Sequence, residues 1–216
     1  DIVVHAPYII NLASYKDETY TLAKEFLAKE IERANAFGSK YLVLHPGAYT
    51  DKTAEYGIER IADGLNHVIN SGIPDIFICL ETMAGKGSEI GRSFEELKNI
   101  LDRVDKKEYI GVCFDTCHTN DSGYDIVNDL DGVLAEFDKV IGLERLKAIH
   151  LNDDKNPMGS QKDRHEKIGK GTIGLEAFER IINHPALRDL PFYLETPNDL
   201  AGYKEEIEIL KALRKE

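Results

Sequence analysis

Six short apolar segments, each followed by a residue that can bind a metal ion, constrain the fold of this chain more than any other feature. The clearest segment, residues 110–114, leads directly to Asp115, and His118 follows three residues later. The other five segments lead to His5, His45, Glu81, His150 and Glu195. Because the segments are too short for independent helices and stay apolar along their length, they are typical of buried strands in a parallel sheet.

Amphipathic segments of helical length separate these strands. Helices are predicted at about 17–37, 51–70, from Ser93 onward, 130–140, 175–183 and 203–214. Ser93 and Glu96 have the spacing of a capping box. Residues 116–124 and 151–174 are predicted to be loops. The alternation of strand, loop and helix predicts right-handed βα units and therefore an α/β fold.

Two architectures are compatible with such units, an open doubly wound sheet and a (β/α)8 TIM-type barrel. Ligand-type residues at every strand end favour the barrel, because its carboxyl-terminal rim brings all strand ends around one point. Six βα units are recognisable and a barrel needs eight. The chain begins within a strand, so we expect residues 1–216 to form a single, N-terminally incomplete barrel domain that lacks two N-terminal units.

Composition narrows the class of protein. The 216 residues are 42% apolar and 31% charged, and no apolar run approaches membrane-spanning length. The N-terminus has no basic leader, so we expect a cytoplasmic protein without a membrane partner. Cys79, Cys113 and Cys117 are an odd number and are interpreted as reduced thiols. A zinc pair of Cys113 and Cys117 is the less favoured alternative, because Cys113 lies mid-strand and no second cysteine pair exists.

The polar segment after His150 contains a second group of possible ligands. Asp163 and His165 are two residues apart, so in an extended segment both side chains lie on the same side and can hold one ion. His118 is the expected third ligand. The alternative interpretation is a solvated polar loop.

Seven motifs that span the whole chain resemble those of the endonuclease IV family of apurinic/apyrimidinic (AP) endonucleases. They are HAPYIINL from His5, HPG from His45, LETMAGKG around Glu81, GVCFDTCH ending at His118, HLNDDK from His150, DRHEKIGKG from Asp163 and LET around Glu195. The resemblance implies a (β/α)8 barrel with three zinc ions at its rim, with manganese as an alternative at one position.

The resemblance also implies how the nine ligands are shared. The first zinc would take His5, His45 and Glu81; the second Glu81, Asp115, His150 and Glu195; the third His118, Asp163 and His165. Glu81 is expected to be the catalytic residue, bridging two ions and positioning a hydroxide. The implied reaction is hydrolysis of the DNA phosphodiester 5′ to an abasic site, leaving a 3′-hydroxyl and a 5′-deoxyribose phosphate.

Double-stranded DNA containing abasic sites is therefore the expected partner. The net charge of −12 argues against nucleic acid at first sight, but three divalent ions would change it to about −6. Tyr8 and Ile9 match the family's wedge positions, the alternative being ordinary loop packing. The basic residues of the rim loops expected to contact phosphates, for which a solvated surface is the alternative, are Lys155 and Arg164, with Lys86, Lys162, Lys167 and Lys170.

The missing units define further expectations. The family is monomeric, whereas open sheet edges in this chain would allow self-association. Loss of the first two βα loops would leave the metal centre complete but weaken DNA binding and turnover.

Two alternative functions remain open. A sugar isomerase or epimerase on the same barrel would use one ion held by Glu81, Asp115, His150 and Glu195, and would leave five further donors without a task. A metal-binding fragment with little turnover is the second alternative. A glycosidase is less favoured, because it needs paired carboxylates and not five histidines. The number of ions per chain separates the one-metal isomerase from the endonuclease.

Overall fold

The computed structural model describes residues 2–72 and 76–215. The strands in these ranges are β1 (Val3–His5), β2 (Tyr41–Leu44), β3 (Gly47–Ala48), β4 (Phe77–Glu81), β5 (Glu89–Ile90), β6 (Ile110–Asp115), β7 (Leu146–His150), β8 (Asp153–Asp154), β9 (His165–Glu166) and β10 (Phe192–Tyr193). The α-helices are α1 (Asp17–Ala36), α2 (Ala54–Asn70), α3 (Phe94–Arg103), α4 (Thr116–Ser122), α5 (Leu130–Val140), α6 (Leu175–Asn183) and α7 (Leu200–Leu213).

Six of the strands form one parallel sheet in the order β1-β2-β4-β6-β7-β10. The predicted strands and their parallel arrangement are therefore confirmed. The register pairs Asp115 with His150, whereas Glu81 pairs with Cys113, two residues before the end of β6, so the strand ends are staggered. Two short antiparallel pairs, β3 with β5 and β8 with β9, lie in the connecting loops.

The sheet is strongly curled. β1 and β7 are four strand positions apart, which in a flat sheet would be roughly 19 Å. Yet the rings of His5 and His150, at the ends of these strands, are 5.7 Å apart between centroids. Curvature of this kind brings the carboxyl ends of all six strands around one point, as in the wall of a barrel.

Alternating residues of the strands face two separate cores. Larger side chains such as Leu42, Leu80 and Phe114 pack between the sheet and the helices. Smaller ones fill the concave face, where curvature leaves less room: Val43, Cys79, Cys113 and Ala148. Both faces of the strands are thus buried, which accounts for their unbroken apolar sequence.

Capping residues shift two helix starts relative to the predictions. Thr53 accepts a hydrogen bond from the Tyr56 backbone N–H, so α2 begins at residue 54 and not at 51. Asp199 caps α7 through the Gly202 N–H, so this helix begins three residues before the predicted start at 203.

The predicted loop at residues 116–124 was wrong, because residues 116–122 form α4. The Asp115 carboxylate accepts the His118 backbone N–H at 2.8 Å and so caps the helix. Gly123, with φ of 110°, ends it in a left-handed conformation. His118 therefore lies on a short rigid helix and not in a loop.

In the described ranges, β1 and β10 each pair with one neighbour, so the sheet has two open edges. No helix of the described part is long and apolar enough to cross a membrane. Self-association through the open edges stays a prediction.

Candidate metal centre

Glu81, at the end of β4, lies at the centre of the converging strand ends. Its side chain is fully buried, and its Oε2 atom is 3.1 Å from His5 Nε2 and 3.0 Å from His45 Nε2. Its other oxygen, Oε1, is 2.8 Å from His150 Nδ1. The two carboxylate oxygens therefore face different histidines, which is the geometry of a bridging ligand.

Two further carboxylates approach the same nitrogen of His150. Glu195 Oε2 lies 3.0 Å and Asp115 Oδ2 3.9 Å from His150 Nδ1. Glu195 lies two residues beyond β10, which ends earlier than the sequence predicted. Asn152 connects both acids, because its Nδ2 donates to Asp115 Oδ2 at 2.7 Å and its Oδ1 accepts the Glu195 N–H at 2.8 Å.

His118, Asp163 and His165 form a second group beside the first. His118 Nε2 is 3.1 Å from Asp163 Oδ1 and 3.5 Å from His165 Nε2. The side chains of Asp163 and His165 do lie close together, with ligand atoms within 4.8 Å, but the segment is not extended as predicted, because Asp163 has φ of 52°, a left-handed conformation. The three side chains meet because the chain turns at Asp163 and enters β9 at His165.

Three of the histidines have one ring nitrogen held by a backbone carbonyl group. The Nδ1 atoms of His5, His118 and His165 lie 2.8, 3.0 and 3.2 Å from the carbonyl oxygens of Ala6, Thr82 and Glu195. An Nδ1–H that donates to a carbonyl leaves Nε2 free to act as a ligand. The backbone therefore presets these rings to direct Nε2 towards the centre.

The charges of the centre are strongly coupled. Burial by itself raises the pKa of the Glu81 carboxyl group, but His150 and His45 outweigh burial and hold this pKa well below its usual range. Burial lowers the pKa of His118, but Asp115 and Asp163 outweigh it and raise this pKa well above its usual value. Protons on the imidazoles thus balance the buried carboxylates, and a divalent ion can take the place of those protons.

The donor set fits ions of the size of zinc. Zinc lies about 2.0–2.2 Å from imidazole nitrogens and carboxylate oxygens, so donors around one tetrahedral ion are about 3.4 Å apart. The donor atoms of His5, His45 and Glu81 lie within 4.8 Å of one another, as do those of His118, Asp163 and His165. The residues present therefore fit metal ions with little rearrangement.

Cys113 and Cys117, which the sequence offered as a less favoured zinc pair, border this centre in two different groups. Cys113 lies within ligand distance of Glu81 and His150, and Cys117 within ligand distance of Asp115 and His165. Burial raises the pKa of the Cys113 thiol to about 11 and that of Cys117 above its usual range. Burial thus favours the protonated thiols, which are weaker metal ligands than thiolates. All three cysteines are free, as predicted for reduced thiols.

Side chains expected at the DNA surface are exposed. Tyr8 and Ile9 are 81% and 59% exposed, and the Tyr8 ring lies 4.8 Å from that of His45. Lys155 and Arg164 face each other directly beyond the β8–β9 pair, where the Lys155 N–H donates to the Arg164 carbonyl group. Lys86, Lys162, Lys167 and Lys170 are also exposed. Their contacts with DNA stay a prediction.

The supporting polar residues were missed from the sequence. The Thr82 hydroxyl accepts the Asp115 N–H at 2.9 Å, while its carbonyl oxygen lies beside His118 Nδ1. Asn152 joins Asp115 and Glu195, as described above. The only sequence signal was position, since Thr82 directly follows Glu81 and Asn152 is two residues after His150.

Known proteins resemble this chain in both sequence and fold. Residues 1–213 match the family model described as xylose isomerase-like TIM barrel. The chain is 56% identical to a probable endonuclease 4 of Methanosphaera stadtmanae over 99% of this chain and 77% of that protein. The crystal structure of endonuclease IV from Thermus thermophilus superimposes with a TM-score of 0.86 at 33% identity, covering 98% of this chain and 74% of that one.

A D-tagatose 3-epimerase-like protein has the same fold, with a TM-score of 0.76 at 24% identity over 99% of this chain and 76% of that one. The predicted fold, six βα units of a (β/α)8 barrel, is thus confirmed. Two further N-terminal units stay a prediction.

Proposed function

This chain belongs to the endonuclease IV family of xylose isomerase-like TIM barrels, and from this premise we propose that it is a metal-dependent endonuclease that cleaves DNA at abasic sites. The observation that carries the proposal is the convergence of nine imidazole and carboxylate side chains on one rim. They are His5, His45, Glu81, Asp115, His118, His150, Asp163, His165 and Glu195.

The number of donors favours the endonuclease over a sugar isomerase. A single ion held by Glu81, Asp115, His150 and Glu195 would leave the contact of His118 with Asp163, and those of His5 and His45 with Glu81, without a function. We propose three zinc ions, held by the three groups that the family resemblance implies. Zinc is supported by the mixture of imidazole and carboxylate donors.

Ions bound by these residues would supply Lewis-acid stabilisation of the scissile phosphate and a water nucleophile at neutral pH. The chain's own residues hold this arrangement. Glu81 directs its two oxygens to different histidine groups from a fully buried position. Asn152 fixes Asp115 and Glu195 relative to each other through its two hydrogen bonds. We propose that the cleaved bond lies 5′ to the abasic nucleotide, leaving a 3′-hydroxyl and a 5′-deoxyribose phosphate.

Exposed residues around the centre are proposed to bind the DNA. Tyr8 and Ile9 present apolar surface beside His45, at a position from which a wedge can enter a gap in the base stack. Lys155 and Arg164 lie directly beyond the end of the β8–β9 pair, next to His165, and are proposed to contact phosphates. The variant Tyr8→Ala should weaken binding of abasic duplex while metal content stays unchanged.

A duplex oligonucleotide with one tetrahydrofuran abasic analogue tests the proposed reaction. This analogue cannot undergo β-elimination, so cleavage requires hydrolysis. The proposal expects cleavage on the 5′ side and a product that a DNA polymerase extends, because it ends in a 3′-hydroxyl. The intact duplex is the control. Absence of cleavage together with a content of one metal ion per chain would contradict the proposal and favour the isomerase.

A further inference from the structure

Asp121 is a buried acid that none of the metal-binding roles above uses. It lies on α4 three residues after His118, so both side chains point to the same side of the helix. Its side chain is fully buried, and its Oδ2 atom accepts the backbone N–H groups of Lys162 at 2.9 Å and Asp163 at 2.6 Å. One carboxylate oxygen thus holds two consecutive N–H groups of the segment that carries Asp163.

The backbone of this segment has an unfavourable conformation. Gln161 and Asp163 have φ of 54° and 52°, in the left-handed region that costs non-glycine residues about 1 kcal/mol or more each. Such a conformation persists where the surroundings hold it. Besides the two bonds to Oδ2, the Gln161 N–H donates to the Asp121 carbonyl oxygen and the Gly159 N–H to that of Asn120. Four hydrogen bonds therefore attach residues 159–163 to the end of α4.

This attachment brings together two candidate metal ligands that are far apart in sequence. α4 carries His118, and the segment docked on α4 carries Asp163, whose Oδ1 atom lies 3.1 Å from His118 Nε2. The left-handed turn at Asp163 then leads into His165. Without the carboxylate acceptor, nothing else in the described ranges accepts the Lys162 and Asp163 N–H groups.

We propose that Asp121 is a positioning residue, which assembles the group His118–Asp163–His165 by accepting two backbone N–H groups and so sets the affinity of that group for its ion. The proposal rests on the proposed function in so far as this group binds an ion. It assigns the role to the acceptor oxygen and not to the negative charge. An asparagine carbonyl oxygen can accept the same two N–H groups, whereas alanine cannot.

The zinc affinities of three variants, measured by competition with a chromophoric chelator, test the proposal. Asp121→Ala should weaken one ion of the three at least about tenfold and leave the other two unchanged. Asp121→Asn should stay within about threefold of the wild type, because it keeps the acceptor. Asp129→Ala, which removes the cap of α5 at Gly132 away from the centre, is the matched control and should leave all ions unchanged.

Amide hydrogen exchange of the metal-free protein gives a second readout. The Lys162 and Asp163 amides should exchange faster in Asp121→Ala than in the wild type and stay protected in Asp121→Asn. Wild-type zinc affinity in Asp121→Ala would overturn the proposal, as would equal losses in Asp121→Ala and Asp121→Asn. A wild-type chain that binds no zinc would contradict the proposed function instead, and exchange would still decide whether Asp121 holds the segment.

Discussion

The two parts of the candidate metal centre are positioned in different ways. His5, Glu81, Asp115 and His150 are the last residues of parallel strands, so backbone pairing within the curled sheet positions them. In contrast, Asp163 lies between strands, and its position depends on the Asp121 carboxylate, which accepts the backbone N–H groups of Lys162 and of Asp163 itself.

Buried acids hold the long segment 151–174 in place by accepting its backbone N–H groups, whereas strand pairing holds the strand ends. Asp153 accepts the N–H groups of Gly171 and Ile173 at 3.0 Å each, and Glu206 accepts that of Ile168 at 2.7 Å. Each of these bonds gives a partner to a backbone donor that would otherwise lack one. The strand-end part of the centre, with His5, Glu81, Asp115 and His150, should therefore resist change. The loop part, with Asp163 and His165, should depend on single hydrogen-bond acceptors.

Replacing Glu81 should have the largest effect, because it links His5 and His45 to His150. The variant Glu81→Gln should lower cleavage of abasic duplex by at least about 10³-fold and reduce metal content. Elemental analysis and a cleavage assay measure both. Glu205→Gln, an exposed residue on α7, is the control. Wild-type metal content in Glu81→Gln would show that this carboxylate is not a ligand.

Chelation should separate the two parts of the centre. If the loop part opens locally with a free energy about 1.4 kcal/mol lower than the strand-end part, its ion leaves about tenfold faster. Zinc release to a chromophoric chelator should then have a fast and a slow phase. His165→Ala should abolish the fast phase and His45→Ala should not. A single phase in the wild type would break the distinction between strand and loop ligands.

Glu206 offers a more moderate test of the loop part. It is the buried residue of α7, and its carboxylate accepts the Ile168 N–H and the Thr196 hydroxyl group, which follow His165 and Glu195 in the chain. Glu206→Ala should lower the free energy of unfolding by about 2 kcal/mol, since both donors lose their acceptor. Denaturant unfolding measures this, with Glu205→Ala as the adjacent control. Equal stabilities of the two variants would contradict the role of Glu206.

The smallest expected effect concerns pH. Burial raises the pKa of Asp154 to about 6, and Asp121 and Asp153 add to this effect. The folded protein therefore binds more protons than the unfolded chain between about pH 4 and pH 6, so the contribution of Asp154 to stability falls as pH rises through this range. The Asp154→Asn variant has no ionisable carboxyl group at this position, so it lacks this pH dependence.

The melting temperature of Asp154→Asn relative to the wild type should therefore rise by about 2–4 °C between pH 4 and pH 7. Comparing the two proteins at each pH cancels the titration of the other acids. A difference that does not change with pH would show that Asp154 titrates normally.

Much of the fold followed from local sequence patterns. Apolar segments such as 110–114 predicted the strands, and α1 was predicted at 17–37 and observed at Asp17–Ala36. The helix starts were less accurate, because caps such as Thr53 and Asp199 compete with other polar residues nearby. α4 was missed altogether, since its seven residues, polar except for Cys117, show no apolar periodicity and the helix depends on Asp115 as its cap.

The sequence alone determined which residue types stand at the strand ends, because strand periodicity and the following loop are properties of neighbouring residues. Tertiary structure decided which residues distant in sequence hold the other candidate ligands beside these strand ends. Asp121 and Asp163 are 42 residues apart, and Asn152 and Glu195 are 43 apart. Which distant donor meets which buried acceptor depends on how the curled sheet and its loops pack, and no local pattern encodes that pairing.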